Sequence, residues 1–125
     1  KIGKKCFFNN GCSLNCKNEI TIGDYCLFGE NVKMYDHNHV YHDISKPIAW
    51  QGFTTAPIKI GNNVIIGSNV KFVMGSHNID SPNWEHCRHN SGLTIEDYVW
   101  LAPDSVILPS CTTIAYGTVV GPMQS

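Results

Sequence analysis

Large apolar side chains recur every six residues over most of the chain. Each repeat places a large aliphatic residue first, then a small or acidic residue, two polar residues and a small apolar residue, as in IGKKC, IGDYC, IGNNV, IGSNV and IEDYV. The hexads open at Ile2, Phe8, Leu14, Ile22, Phe28, Met34, Ile60, Ile66, Phe72, Ile95, Leu101, Ile107, Ile114 and Val120. Self-similarity of this kind is typical of repeat architectures, in which each unit stacks on the next.

Three successive hexads form one turn, and every extra residue follows a third hexad. Complete turns span residues 2–19, 22–39, 60–77 and 95–112, and the leftover residues are 20–21, 40–59, 78–94 and 113. A turn of three short strands, each with one inward apolar residue, makes a triangular prism, so all insertions leave from one corner. The period of six fits neither an α-helix nor a heptad. The pattern predicts an all-β fold: a parallel β-helix of about four to five coils, with two long loops from one corner, forming a single domain over residues 1–125.

Composition and charge narrow the possible partners and location. The net charge is -1 and the chain has no basic run, so a nucleic-acid partner is not expected. No apolar stretch approaches the roughly 20 residues that a membrane-spanning helix needs. Four of the six cysteines, at positions 6, 12, 26 and 111, fall where other hexads carry valine, which indicates buried apolar thiols. We therefore expect reduced cysteines and a cytoplasmic location.

The six histidines lie outside the regular repeat walls, at positions 37, 39, 42, 77, 86 and 89. His39 is the last residue of the second turn and His77 is the last residue of the third. The count therefore places them at equivalent positions on one edge of the prism, about 4.8 Å apart, which is the spacing of neighbouring strands. The long loops 40–59 and 78–94 begin beside them.

The hexads, together with GSHNIDSP and TIEDYVWLAPDSVILP, resemble the left-handed β-helix acyltransferases built from hexapeptide repeats. The stretch 58–121 is most similar to bacterial sugar O-acetyltransferases of the colanic-acid and nodulation type. The first half resembles a second branch, with an Asp-His-x-His loop followed by Pro-Ile-x-Ile-Gly. The chain departs from the family at Glu96, where glycine is usual. The resemblance implies a homotrimer that transfers an acetyl group from acetyl-CoA to a hydroxyl, or less readily an amine, of a sugar or glycan precursor.

In this family a histidine at the end of the third hexad acts as general base, because an imidazole that titrates near neutral pH can take the proton of an attacking hydroxyl. His77 and His39 both meet that positional criterion. His77 is favoured because the coil after it carries Trp100, the family tryptophan, whereas the coil after His39 has Ile65 there. His39 would then be an acceptor-site residue on the neighbouring coil, and the reverse assignment stays open.

The resemblance also implies the residues that bind the two substrates. Beside the pantetheine arm of acetyl-CoA the matching positions are Trp100, Ala102, Pro103 and Gly121. The candidate acceptor contacts are Asp36, Asn78, Asp80 and Trp84. The family usually continues with a further coil and a tail. Because the chain begins and ends inside the repeat without a polar cap, we expect it to be part of a longer protein.

Two other functions are compatible with the same repeat. The stretch DHNHVYH, from Asp36 to His42, has ligand-like histidine spacing, so a zinc enzyme of the γ-class carbonic anhydrase type is an alternative. We expect no metal, because no cysteine pair or carboxylate is spaced to complete a ligand set. A non-catalytic β-helical assembly module is the third reading, since a fold does not by itself define a function.

Overall fold

Short β-strands form nearly all of the regular structure. The computed structural model describes residues 1–40, 43–72, 92–108 and 111–122. The strands are β1 (Phe7–Phe8), β2 (Ser13–Asn15), β3 (Ile20–Ile22), β4 (Leu27–Phe28), β5 (Lys33–Tyr35), β6 (His37–His39), β7 (Phe53–Thr55), β8 (Ile58–Ile60), β9 (Ile65–Ile66), β10 (Lys71–Phe72), β11 (Leu93–Ile95), β12 (Trp100–Leu101), β13 (Val106–Ile107), β14 (Thr113–Ile114) and β15 (Val119–Val120). One 3-10 helix spans Ile48–Trp50. In this part of the chain no helix is long and apolar enough to cross a membrane.

The strands form three parallel walls and one antiparallel hairpin. The first wall contains β3, β8, β11 and β14, the second wall contains β1, β4, β9, β12 and β15, and the third contains β2, β5, β10 and β13. The second, third and fourth coils each contribute one strand to every wall in turn, and the first and last coils contribute two strands each. The hairpin pairs β6 with β7. The predicted all-β parallel β-helix is confirmed.

The register of each wall matches the hexad count. In the first wall Ile22 pairs with Ile60, Ile60 with Ile95, and Ile95 with Ile114, although long insertions separate these residues in the sequence. The residues that open the hexads point inward and stack from coil to coil. Those that are buried are Ile22, Phe28, Met34, Ile60, Ile66, Phe72, Ile95, Leu101, Ile107 and Ile114.

The cysteines at the valine position belong to the same interior. Cys26 is fully buried, and Cys6, Cys12 and Cys111 pack against the core. The thiols of Cys6 and Cys26 lie 3.1 Å and 3.2 Å from the carbonyl oxygens of Gly23 and Gly61 in the next coil. Burial raises the pKa of the Cys26 thiol, which keeps it protonated and unreactive. The prediction of core thiols is confirmed for these residues.

Two of the three corners use left-handed backbone. At the first corner, between the first and second walls, Lys5, Tyr25, Asn63, Tyr98 and Gly117 have positive φ values. At the second corner the equivalent residues are Gly11, Asn31, Asn69 and Asp104. Glycine, asparagine and aspartate tolerate this region best, which explains why they occupy most of the bends.

Side-chain oxygens link successive coils at the first corner. Asn62 Oδ1 accepts a hydrogen bond from the backbone N–H of Asp24 at 2.8 Å, and Asp97 Oδ1 does the same for Asn62. A Cβ atom on Gly23 would lie 2.5 Å from Oδ1 of Asn62, so glycine is required beside this link.

Glu96 replaces the family glycine because the pattern changes in the last described coil. Tyr116 stands where the three coils directly below carry aspartate or asparagine. The Glu96 side chain instead accepts the Tyr116 N–H at 3.0 Å, so the link runs in the opposite direction.

In the second coil the third corner is closed by a buried carboxylate instead of a left-handed residue, whereas Gly92 at the same corner of the next coil has a positive φ. Asp36 is fully buried at the end of the third wall. Its oxygens accept hydrogen bonds from the N–H groups of Lys17, Asn18 and Glu19 in the preceding coil, each at 2.8 Å. His37 Nδ1 lies 2.9 Å from Oδ1 of the same carboxylate.

These contacts lower the pKa of Asp36. Burial alone would raise it, but the hydrogen bonds from Lys17, His37, Asn18 and Glu19 outweigh burial and hold the pKa at about 2, below the ordinary value of 3.8. A carboxyl whose pKa is lower in the folded state stabilises the fold above its unfolded pKa, and that stabilisation is lost as the pH falls to the folded pKa.

Close stacking at the second corner predicts the cost of a single methyl group. A Cβ atom on Gly67 would lie 2.5 Å from the backbone nitrogen of Pro103, whereas a Cβ atom on Gly121 would meet no atom within 4 Å. We expect Gly67→Ala to reduce the free energy of unfolding by about 3 kcal/mol, because backbone atoms must separate. Gly121→Ala should change it by less than about 0.5 kcal/mol. Urea unfolding followed by circular dichroism measures both, and equal effects would contradict the stacking geometry.

The Asp36 contacts predict a specific acid sensitivity. Asp36→Asn should lower the free energy of unfolding at pH 7 by about 2 kcal/mol, the value of the pKa shift. Between about pH 4 and pH 2 the wild type should lose this advantage, so the two stability curves converge. Asp104→Asn, at an exposed position, is the matched control and should follow the wild-type curve. A constant gap between Asp36→Asn and the wild type down to pH 2 would be inconsistent with an ionised Asp36.

Candidate active site

A β-hairpin leaves the prism at the third corner, between the second and third coils. His37, Asn38 and His39 on the outgoing strand pair with Thr55, Thr54 and Phe53 on the return strand. At the base of the hairpin, Ala56 donates its N–H to the carbonyl oxygen of Asp36 at 2.8 Å. The chain therefore returns to the coil where it left, and Ile58 resumes the first wall in register with Ile20.

The structure places His39 differently from the hexad count. The count made His39 the last residue of a coil, but the coil ends at Asp36 and His39 lies on the outgoing hairpin strand. The physical reason is strand pairing: after Asp36 the backbone bonds to its own return strand and no longer to the neighbouring coil. The insertion therefore begins earlier than predicted, and residues 58 and 59 belong to the first wall.

Asp36 and His37 form a pair at the base of the hairpin. An ionised carboxylate only accepts hydrogen bonds, and the pKa of Asp36 keeps it ionised near neutral pH. Nδ1 of His37 must therefore carry the proton in the 2.9 Å contact. Asp36 thus has a structural function, and its predicted contact with the acceptor stays a prediction.

Aromatic rings surround this pair. The ring of Phe53 lies 5.3 Å from that of His37 in an edge-to-face arrangement and 4.9 Å from that of His39. Tyr35 contacts His37 edge-on at 6.0 Å, and the Lys17 ammonium lies 4.6 Å from the centre of the Phe53 ring. The hairpin base is consequently a packed cluster with both histidines in contact with Phe53.

The Gln51 side chain binds three backbone groups in the described part of this loop. Gln51 accepts a hydrogen bond from the N–H of Asp43 and donates to the carbonyl oxygens of Asp43 and Lys46, at 3.1, 2.8 and 3.0 Å. Trp50, at the end of the 3-10 helix, is 79% exposed. The loop is therefore held by the Gln51 hydrogen bonds and exposes the Trp50 side chain to solvent.

The second histidine loop lies outside the described residues. His77, the favoured base, and the predicted acceptor contacts Asn78, Asp80 and Trp84 all fall between residues 73 and 91. Their roles stay predictions.

The predicted acetyl-CoA residues lie on the second wall and the second corner. Trp100 is on β12, the fourth of the five strands of the second wall, and its side chain is on the outside. Ala102 is buried, and Pro103 stacks on Gly67 of the coil below. Gly121 follows β15 and is exposed. Their contacts with acetyl-CoA stay predictions.

In the part of the chain that the structure describes, Trp100 and the hairpin residue His39 are not brought together. The second wall runs between the first and second corners, so it faces away from the third corner, where the hairpin leaves. Trp100 and His39 therefore lie on opposite sides of the prism. Any site that uses both must combine residues from two copies of the chain.

Two other kinds of site are a metal centre and a surface groove. In the described part of the chain, no three residues among histidine, cysteine, aspartate and glutamate are grouped to hold a metal ion. A shallow groove of about 440 Å³ crosses the first wall toward the first corner, and its lining includes Lys59, Thr94, Glu96 and Tyr116. Among the predicted site residues that the structure describes, none lines this groove, and its open shape favours no particular ligand.

Sequence reasoning assigned no role to His37. The signal that could have identified it is the Asp-His pair where the chain leaves the third hexad. An aspartate that accepts backbone hydrogen bonds at such an exit can hold the next side chain in a fixed orientation.

Comparisons with known proteins found a small number of distant relatives. No profile of a known protein family matches the chain, and no solved structure matches it. The chain is 29% identical over all 125 residues to an Escherichia coli K12 protein named "Putative colanic acid biosynthesis acetyltransferase WcaF", and to a protein of the same name from Shigella flexneri. It covers 57% of the length of these two relatives, so it spans little more than half of them.

A third relative matches a shorter part of the chain. A Schizosaccharomyces pombe protein named "Putative acetyltransferase" is 36% identical over 72 residues, which are 53% of this chain and 32% of that protein. The chain, whose hexapeptide repeat builds a parallel β-helix, is thus a distant homologue of proteins named as putative acetyltransferases.

Proposed function

We propose that the protein transfers the acetyl group of acetyl-CoA to a hydroxyl group of a sugar or glycan precursor, and less readily to an amine. The similarity over the whole chain to proteins named as acetyltransferases carries this proposal. The name of these relatives refers to colanic acid, a polysaccharide, which supports a sugar acceptor.

The reaction requires a base and no covalent enzyme intermediate. The acceptor oxygen attacks the thioester carbonyl carbon while a histidine takes its proton, a carbon–oxygen bond forms and the carbon–sulfur bond breaks. The CoA thiolate leaves and takes up a proton. His77 is the proposed base, and His39 is either an acceptor-site residue or the base itself. His39 lies on a hairpin strand that extends from a rigid coil, which is a suitable place for a positioned side chain.

Each substrate has its own proposed residues. Trp100, Ala102, Pro103 and Gly121 would lie beside the pantetheine arm. The outward orientation of Trp100 on a regular wall supports this, because an extended chain could lie along the stacked coils. Asn78, Asp80 and Trp84 would contact the acceptor, and Asp36 would support the acceptor side from inside the coil.

We also propose that the protein is a homotrimer. The outward residues of the second wall form one apolar column through five coils, in register and between 44% and 61% exposed: Phe7, Leu27, Ile65, Trp100 and Val119. The equivalent columns of the other walls contain Thr21, Lys59, Thr94 and Thr113, or Ser13, Lys33, Lys71 and Val106. A continuous apolar column on a single wall favours contact with another subunit.

Subunit contact could also complete the site, because it can bring the second wall of one copy to the third corner of another.

A cytoplasmic location completes the proposal. The described cysteines are unpaired, as expected in a reducing compartment.

The acetyl-transfer proposal predicts release of free CoA thiol from acetyl-CoA in the presence of a sugar acceptor. His77→Ala should reduce kcat at least about 100-fold, because a general base contributes on the order of 10²–10⁴-fold. The measurement is a thiol assay with a panel of mono- and oligosaccharides, with His39→Ala run in parallel. Loss of turnover in His39→Ala alone would transfer the base to the hairpin. Zinc-dependent activity without thiol release would instead favour the carbonic anhydrase alternative.

The trimer proposal predicts that one charge in the apolar column separates the subunits. Leu27→Lys and Ile65→Lys place an ammonium group at the centre of the second wall, so each should shift the particle to the monomer mass. Thr94→Lys adds the same charge to the polar first wall and should leave the assembly intact. Light scattering during size-exclusion chromatography gives the masses. An unchanged mass for both second-wall variants would show that this wall is not the interface.

A further inference from the structure

Asp36 is a fixed point from which the position of the hairpin can be set. Its carboxylate is bound by three backbone N–H groups of the preceding coil and cannot move without breaking that corner. Asp36 also holds both sides of the hairpin base, because its carbonyl oxygen accepts the N–H of Ala56 on the return side.

His37 extends this fixed point into the hairpin. Its Nδ1–H is donated to Asp36, and its ring is only 13% exposed, with Tyr35 on one side and Phe53 on another. A residue that is packed in this way is suited to act through its neighbours more than by direct contact with a substrate.

Phe53 carries the same constraint to His39. The two residues are directly paired across the hairpin, and their rings are 4.9 Å apart at an interplanar angle of 38°. Because Phe53 also packs edge-on against His37, a shift of the His37 ring must displace Phe53 and so change the surface against which His39 rests.

We propose that His37 is a positioning residue for the acceptor side of the site: held by Asp36, it fixes Phe53 and thereby the imidazole of His39 for contact with the acceptor hydroxyl. The inference rests on the proposed acetyl transfer. His37 itself takes no proton from the acceptor.

Two variants separate positioning from catalysis. His37→Asn keeps an N–H donor close to the place of Nδ1 but has no Nε2, so it should retain kcat and the acceptor KM within about 3-fold of the wild type. His37→Leu fills similar space without a donor. It should lower kcat/KM for the acceptor about 10–100-fold, through the acceptor KM as well as kcat, since small misplacements of this kind are costly. KM for acetyl-CoA should stay unchanged in both variants.

Inactivity of folded His37→Asn would overturn the proposal, because it would make His37 the base. Full activity of His37→Leu would overturn it too, since positioning would then be dispensable. If His37→Leu does not fold, Phe53→Leu replaces it and should show the same change in the acceptor parameters. Thermal unfolding of each variant identifies failures of folding.

A second measurement does not depend on turnover. With 13C-labelled histidine, the Cε1–H resonance of His39 reports the ring current of Phe53. The resonance should shift in His37→Leu and stay within a small deviation of the wild-type position in His37→Asn. An unmoved resonance in His37→Leu would overturn the positioning function. Absence of acetyl transfer by the wild type with every acceptor would overturn the proposed function, and this resonance would still decide whether His37 orients His39.

Discussion

Parallel stacking in register is the constraint on which the whole molecule depends. A strand of two or three residues cannot satisfy its backbone within its own coil, so each N–H and C=O must find its partner in the coil above or below. That pairing works only if every coil bends at the same places. Left-handed residues provide two of the bends, and the side-chain oxygens of Asn62 and Asp97 bind the N–H groups that the first bend leaves over.

At the third bend the Asp36 carboxylate binds the backbone N–H groups, and the hairpin leaves the coil directly after this residue. Asp36 gathers three N–H groups of the coil below, so its corner needs no left-handed residue and the chain is free to continue outward. His37, the first histidine of the hairpin, contacts this carboxylate directly, and His39 packs against Phe53 on the return strand. The hydrogen bonds of Asp36 therefore both stabilise the core and orient His37 at the base of the hairpin.

The sequence was sufficient to predict the inward residues and their partners, because a period of six leaves one register for each wall. It was not sufficient to predict the residue at which the hairpin leaves the coil. Residue counting measures the length of a coil and does not register that residues 37–39 pair with a return strand. The role of Glu96 was also hidden, since it depends on Tyr116 one coil away. The opposite placement of Trp100 and the hairpin follows from the order of the walls around the prism.

The closed base of the hairpin separates two kinds of sequence change. Ile20 and Ile58 remain paired whatever lies between Asp36 and Ala56, because the contact between those two residues returns the chain to its point of departure. The register of the coils is thus independent of the length and composition of the loop beyond its first and last few residues. Loops such as the one around Trp50 can diverge, lengthen or be exchanged between relatives while the stack keeps its stability. New acceptor preferences can therefore evolve at this corner without a new fold.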